Sequence, residues 1–206
     1  MAKIKLTKGE LKKQRDALKQ FERYLPTLQL KKQQLQIEIL HLNAAALEKQ
    51  RQLEVKKAAA MVWAGLLTEI DLPAFKPWLV PAEIIAGVRN VAGVDLPVFE
   101  RARFTDAAYD LFLTPAWVDG ALEFLREQVV LREEIRVMVQ AIETLKRELR
   151  ITTQRVNLFE KVKIPEAQDA IRRIKIYIGD QMANAVGRSK IAKRKIEALE
   201  ALEVAA

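Results

Sequence analysis

The sequence has no cysteine and a single histidine, His41. Disulfides, thiolate metal ligands and cysteine nucleophiles are excluded, and a histidine-based metal cluster or catalytic triad lacks the members it needs. Glycine and proline number 7 each among 206 residues, and aromatics make up 6%. So few helix breakers point to long helices rather than a compact mixed fold. The longest uncharged stretch, Ala58 to Thr68, falls short of the roughly 20 apolar residues that cross a bilayer. Met1 to Lys5 lacks the apolar run of a secretory signal. A soluble protein is the expectation, with any membrane association coming through partners. No G-x-x-x-x-G-K-[ST] phosphate loop occurs. Neither Glu133-Glu134 nor Glu197 with Glu200 has the setting of an acid/base pair. No catalytic, cofactor-binding or metal-binding residue is expected.

Charge is abundant, at 30% of residues with a net of +8. It is unevenly spread. Residues 1–60 carry 14 Lys/Arg against 6 Asp/Glu, residues 61–121 carry 4 against 8, and residues 122–206 carry 17 against 13. Basic ends flank an acidic middle, which suits an acidic partner surface, an acidic lipid or a nucleic acid.

Five of the prolines, Pro73, Pro77, Pro81, Pro97 and Pro115, lie between two breaker-poor stretches. Such residues do not accumulate inside helices. Three segments are expected: an N-terminal coiled-coil helix over 1–64, a middle segment over 65–113, and C-terminal coiled-coil helices over 114–206. In the first, Thr7 with Glu10 forms a capping-box pattern, and Leu6 with Leu11 a hydrophobic staple. A heptad then reads Leu11, Leu18, Leu25, Lys32, Ile39, Ala46, Leu53, Ala60, with Gln14, Phe21, Leu28, Leu35, Leu42, Lys49, Lys56 and Trp63 three residues after each. That 3-4 spacing signals a left-handed coiled coil. Pro26 inside it predicts a bend, not a stop, in a helix on the order of 80 Å long.

The partner stripe is Phe124, Gln128, Leu131, Ile135, Met138, Ile142, Leu145, Leu149, Thr152, Val156, Phe159. Thr114 with Pro115 at the first helical position predicts its start, and Leu113 with Val118 a staple. Pro165 is expected to bend or break it. Ile171, Ile174, Ile178, Met182 and Ala185 continue the pattern, followed by Ala192, Ile196 and Leu199. Two such helices joined by a connector pair antiparallel, with both termini at one end. In the middle, Glu83 to Val91 and Val94 to Glu100 flank Ala92-Gly93 and predict a β-hairpin near 83–103. Pro97 confines its strand to an edge or bulge. Trp63, Trp78 and Trp117 are expected to pack the connector onto the helix ends. The fold class is mainly α: a long antiparallel coiled coil with a short inserted β-hairpin.

Several segments resemble one family. They are Lys5-Leu6-Thr7-Lys8, Tyr24-Leu25-Pro26-Thr27-Leu28-Gln29-Leu30-Lys31-Lys32, Asn90-Val91-Ala92-Gly93-Val94-Asp95-Leu96-Pro97, and Thr152-Thr153-Gln154-Arg155-Val156-Asn157-Leu158-Phe159-Glu160 with Ile164-Pro165. In order and spacing they resemble the D subunit of V-type ATPases and ATP synthases across nearly the whole chain. Its signature residues fall here at Thr152, Arg155, Val156, Asn157, Glu160 and Pro165. Gln154 departs from the family's usual Arg, and Leu158-Phe159 from its Ala-Leu. The resemblance implies a non-catalytic central rotor with no cofactor of its own. It also implies partners: the catalytic and non-catalytic subunits of the ATPase hexamer, a small F subunit of the central stalk, and the adaptor subunit of the membrane ring.

Candidate hexamer contacts are the charges Lys12, Lys13, Arg15 and Lys19 on the first helix and Lys190, Lys193, Arg194 and Lys195 on the last; each taken singly also suits an ordinary solvated face. Lys32, Gln128 and Thr152, polar at seam positions, are candidates for setting register. A basic nucleic-acid-binding coiled coil and a tethering coiled coil are the rival classes. Interleaved acids and the lack of an aromatic stacking platform weigh against the first. The inserted hairpin weighs against the second.

Overall fold

The computed structural model describes residues 5–69, 72–110, 112 and 114–204. Helix α1 spans Lys8–Met61, a 3-10 turn Ala64–Glu69 and helix α2 Leu72–Leu79. Strands β1 (Pro81–Val91) and β2 (Val94–Phe104) follow. Helix α3 (Val118–Leu158), a π-helical turn (Phe159–Lys163) and helix α4 (Ile164–Val204) complete the order. The chain forms two compact units. One is Leu30–Thr152; the other joins the segment ending at Gln29 to the segment starting at Thr153.

In the Leu30–Thr152 unit, α1 and α3 pair antiparallel. Lys31 Nζ lies 3.0 Å from Glu148 Oε1, Lys49 Nζ lies 3.0 Å from Glu134 Oε2, and Lys56 pairs with Glu127. One number falls as the other rises. Leu35 and Leu145 are wholly buried between the helices, with Ile39, Ala141 and Ile142. Each expected seam position of α1 in this unit turns inward, from Lys32 to Trp63. Lys49 and Lys56 break the apolar pattern without breaking the seam. Their stems cover the interface while their ammonium groups reach the glutamates of α3.

The hairpin is two-stranded and antiparallel, with Val91 opposite Val94 and Val88 opposite Pro97. Both strands are edges, so Pro97 costs no ladder bond that a central strand would need. Ala92 and Gly93 form the turn at φ 51° and 75°, the positive values that a two-residue type I′ turn demands. Asn90 braces it: its Oδ1 accepts from the Gly93 N–H at 3.1 Å and its Nδ2 donates to Asp95 Oδ1 at 2.6 Å. The hairpin packs along the helix pair. Leu96, 2% exposed, joins Leu35, Ile39, Ala141 and Leu145 in one core, with Val91, Ala92 and Val94 beside it. Arg89 pairs with Glu38 of α1. At the hairpin's base Arg126 of α3 donates to the carbonyls of Trp78 and Thr105, at 3.0 and 2.7 Å, and lies 5.2 Å from the Phe104 ring.

All three tryptophans join the connector to the helices. Trp63 meets Phe124 edge-on, and Trp78 packs with Phe75 and Tyr109. Trp117 lies against the core of Phe75, Val118 and Leu122. The expected start of the second long helix shifts. It begins at Val118, and the Thr114 hydroxyl donates to the Asp110 carbonyl at 2.7 Å instead of capping it. The staple proposed through Leu113 lies outside the described residues.

In the other unit Phe21 stacks on Phe159, centroids 5.3 Å apart. The Thr7 hydroxyl accepts from the Glu10 N–H at 3.2 Å, so half of the capping box forms. The Glu10 carboxylate instead takes the Gln14 amide at 2.9 Å, and the Thr7 N–H goes to the Lys5 carbonyl. Pro26 does not stop α1. Nor does Pro165 break the last helix. The inward positions run Val156, Phe159, Ile164, Ala167, Ile171, Ile174, so a step of five sits between Phe159 and Ile164 where the heptad has four. The π turn takes up that step: the Ile164 N–H donates to the carbonyl of Phe159, five residues back. Pro165 then falls in the first turn of α4, where a missing donor is tolerated.

Candidate functional site

The last helix changes character along its length. Ala167, Ala170, Ile171 and Ile174 are buried, but every residue from Gly179 to Ala198 is exposed. Met182, Val186, Ile191 and Ile196 stand in that stretch with half or more of their surface open. The expectation that Met182, Ala185, Ala192 and Ile196 extend the intramolecular seam is therefore corrected. With Phe21 level with Phe159, the start of α1 is reached near Ile174, and among the described residues of this unit no other helix covers the stretch past that level. For the same reason the described start of α1 and the described end of α4 do not finish level. The Leu199 side chain lies outside the described residues.

The candidate contact charges are all exposed: Lys12, Lys13, Arg15 and Lys19 on α1, and Lys190, Lys193, Arg194 and Lys195 on α4. Lys193 Nζ sits 3.6 Å from Glu197 Oε1. The two groups do not make one patch. In the Phe21–Phe159 register Lys12 faces the level of residue 168, so Lys190 stands roughly 33 Å farther along at 1.5 Å per residue. The signature residues also divide. Thr152 and Val156 are buried, while Arg155, Asn157, Glu160 and Pro165 face outward. Sequence reasoning singled out the charges and read the apolar side chains among them, Met182 and Ile196, as part of the seam. The signal was present: a heptad running on past the point where its partner ends.

An open groove of about 690 Å³ lies beside Lys56, Tyr109, Asp119, Arg126 and Glu127. These five polar groups are engaged within the chain. Lys56 pairs with Glu127, the Tyr109 hydroxyl donates to Asp119, and Arg126 holds two carbonyls. The hydrogen bond to Asp119, with lesser help from burial and from its negative charge, raises the Tyr109 pKa above the ordinary phenol value, against a lowering by Arg126. Among the described residues no group of three or more His, Asp or Glu is placed to hold a metal ion, and no helix is long and apolar enough to cross a membrane.

One unit is an antiparallel helix pair with a hairpin packed along it, and in the other unit the last helix stands bare; each offers surfaces rather than a pocket for chemistry. Comparison with known proteins places it further. Residues 10–194 match the family described as the ATP synthase D subunit. The V-type ATP synthase D subunit of Borreliella burgdorferi is 45% identical over 95% of this chain and 96% of its own length. Those of Chlamydia abortus and Chlamydia pneumoniae are 35% and 33% identical over 95% and 94% of this chain, and 95% and 93% of their own lengths. The chain belongs to the family of ATP synthase D subunits. It is a non-catalytic component of a rotary ATPase of the V type.

Proposed function

We propose that this subunit is the central shaft of the ATPase, carrying torque between the nucleotide-binding hexamer and the membrane ring. The observation that carries the reading is the bare helix from Gly179 to Ala198. A single helix of that length is marginal in water. One with Ile191 and Ile196 exposed among Lys190, Lys193 and Arg194 suits insertion into a surrounding collar. Within a ring of repeated subunits, an unsymmetrical helix pair meets each interface with a different face. Only such differences in contact free energy can bias one site open and another closed. Lys12, Lys13, Arg15 and Lys19 then guide register from α1, and Lys190, Lys193 and Arg194 from α4, by attraction that remains wet. The outward Arg155, Asn157 and Glu160 face the same surroundings, with Pro165 just beyond them.

On this reading the segments 1–64 and 114–206 form the shaft, and 65–113 forms the end that meets the ring's adaptor subunit. The small F subunit binds alongside, nucleic acid is no partner, and the complex alone holds the chain at the cytoplasmic face of the membrane. The test is a reconstituted hexamer with the full chain, without it, and with the chain ended after Ile178. A bead fixed to the middle segment reports rotation. Rotation coupled to ATP turnover is expected with the full chain only. Unchanged rotation with the shortened chain would refute the role of the bare helix.

A further inference from the structure

The two outer edges of the hairpin are not alike. Its pairing runs unbroken from Val91 opposite Val94 to Ala86 opposite Phe99. Around a two-residue turn the Val91–Val94 pair exchanges both ladder hydrogen bonds, and bonded and non-bonded pairs then alternate. Arg89 with Leu96 and Gly87 with Val98 are therefore bonded pairs. Asn90 with Asp95, Val88 with Pro97 and Ala86 with Phe99 are not. The backbone groups of those six residues point away from the partner strand.

On β2 the outer edge is guarded. Pro97 removes its middle donor, a bulge leaves Glu100 unpaired, and the exposed Arg101 and Arg103 follow. Proline, bulges and charge are the usual means by which an edge strand is kept from pairing. On β1 nothing does this. Ala86, Val88 and Asn90 keep every outward donor and acceptor, and all three are exposed, Val88 by 74%. The two charges of β1 are already held within the chain: Arg89 pairs with Glu38, and Glu83 with Arg103 at 3.3 Å. Among the described residues neither a third strand nor any hydrogen bond reaches these outward backbone groups. A row of free backbone groups on an extended strand is a template for another strand.

We infer that the outer edge of β1 is a strand-addition site: an extended segment of another subunit pairs with Ala86 to Asn90 and makes the hairpin a three-stranded sheet. The hydrogen-bonding pattern fixes the kind of occupant. Ala86, Val88 and Asn90 present their donors and acceptors about 7 Å apart, the two-residue repeat of an extended chain, and only a second extended backbone answers at that repeat. The occupant is about five residues long, has no proline at its bonding positions, and sets a β-branched or aromatic side chain beside Val88. It needs no charge, because Glu83 and Arg89 are already paired. The inference rests on membership of a multisubunit ATPase, and not on the torque-bearing role of α4.

Residue-resolved amide exchange, measured on the isolated chain and on the assembled ATPase, tests this. In the isolated chain the amides of Ala86, Val88 and Asn90 should exchange near the unprotected rate, and those of Gly87 and Arg89 more slowly. Assembly should slow the first three by about 100-fold and leave Asp95, on the outer edge of β2, unchanged. Val88→Pro removes the central outward donor and no ladder bond, as Pro97 does across from it, so the hairpin should persist. In the complex of that variant Ala86 and Asn90 should exchange as they do in the isolated chain. If Val88→Pro does not fold, exchange in the native complex decides alone. Equal exchange of the three amides with and without the other subunits would overturn the inference. So would slowing of Asp95 alongside them, the mark of a general cover, or slowing of Ala86 and Asn90 that survives Val88→Pro. Coupled rotation lost while the three amides stay protected would remove the shaft reading and leave this one.

Discussion

Leu96→Ala offers a measure of what holds the hairpin to the helix pair. Leu96 is 2% exposed and packs with Leu35, Ile39, Ala141 and Leu145. Truncating a leucine so enclosed costs about 3 kcal/mol, since the helices cannot close over the gap. A two-stranded hairpin is not stable in water by itself, so the loss falls on its docking. What remains includes the partly buried Val91, Ala92 and Val94, the Arg89–Glu38 pair, half exposed on the arginine side and worth under about 1 kcal/mol, and the clasp of Arg126 at the far end. At 1.4 kcal/mol per factor of ten, amide exchange in Pro81–Phe104 should rise about 100-fold. Amides of α3 alongside the hairpin's base, near Gln128 and Leu131, should change little. Hydrogen exchange read by mass spectrometry resolves the two. An equal rise across hairpin and helices would show that the hairpin and coiled coil open as one body, and docking would no longer be the step that Leu96 controls. No rise at all would show that Leu96 anchors nothing.

Three further outcomes are expected. Ala92→Asn should stabilise the Leu30–Thr152 unit by about 0.5–1 kcal/mol in urea unfolding, because asparagine tolerates the positive φ that alanine resists; Ala92→Val should lose at least as much. The Gln128 amide nitrogen is buried in the seam without a protein acceptor, so Gln128→Leu should raise stability by about 1–2 kcal/mol; a lowered melting point would show that the amide sets register instead. The Tyr109 pKa is raised above its unfolded value. The matching stabilisation is therefore complete below the unfolded phenol pKa and lost as pH climbs through the folded one. In Asp119→Asn the ultraviolet titration of Tyr109 should move to lower pH, and an unmoved midpoint would refute the assignment of its cause to Asp119.

The heptads were legible because a coiled coil stores its pairing in spacing, and even the misfit residues Lys49 and Lys56 stayed on the seam. The hairpin was legible from Ala92-Gly93 between two β-rich runs, though its strands run on to Pro81 and Phe104. Periodicity gives the face of a helix but not what covers it. For that reason Met182 and Ile196 read as core while standing in the open. The start at Thr114 failed because the hydroxyl found a carbonyl four residues back, a local competition that pattern alone does not resolve. Arg126 gave no signal, since its partners are backbone carbonyls of residues 78 and 105. The candidate charges were visible as residues, but their separation along the helices depends on a register that only the stacked phenylalanines supply.

The π turn at Phe159–Lys163 makes this stretch sensitive to residue number more than to residue type. Each residue removed from a helix rotates all that lies beyond it by about 100°. Deleting one here is the exception: it would turn the π turn into ordinary α-helix and restore the heptad's step of four, so Ile171 and Ile174 would stay in line with Phe159. Substitutions and a single deletion between Phe159 and Ile164 should be absorbed, while a single insertion would misdirect the azimuth of every later side chain.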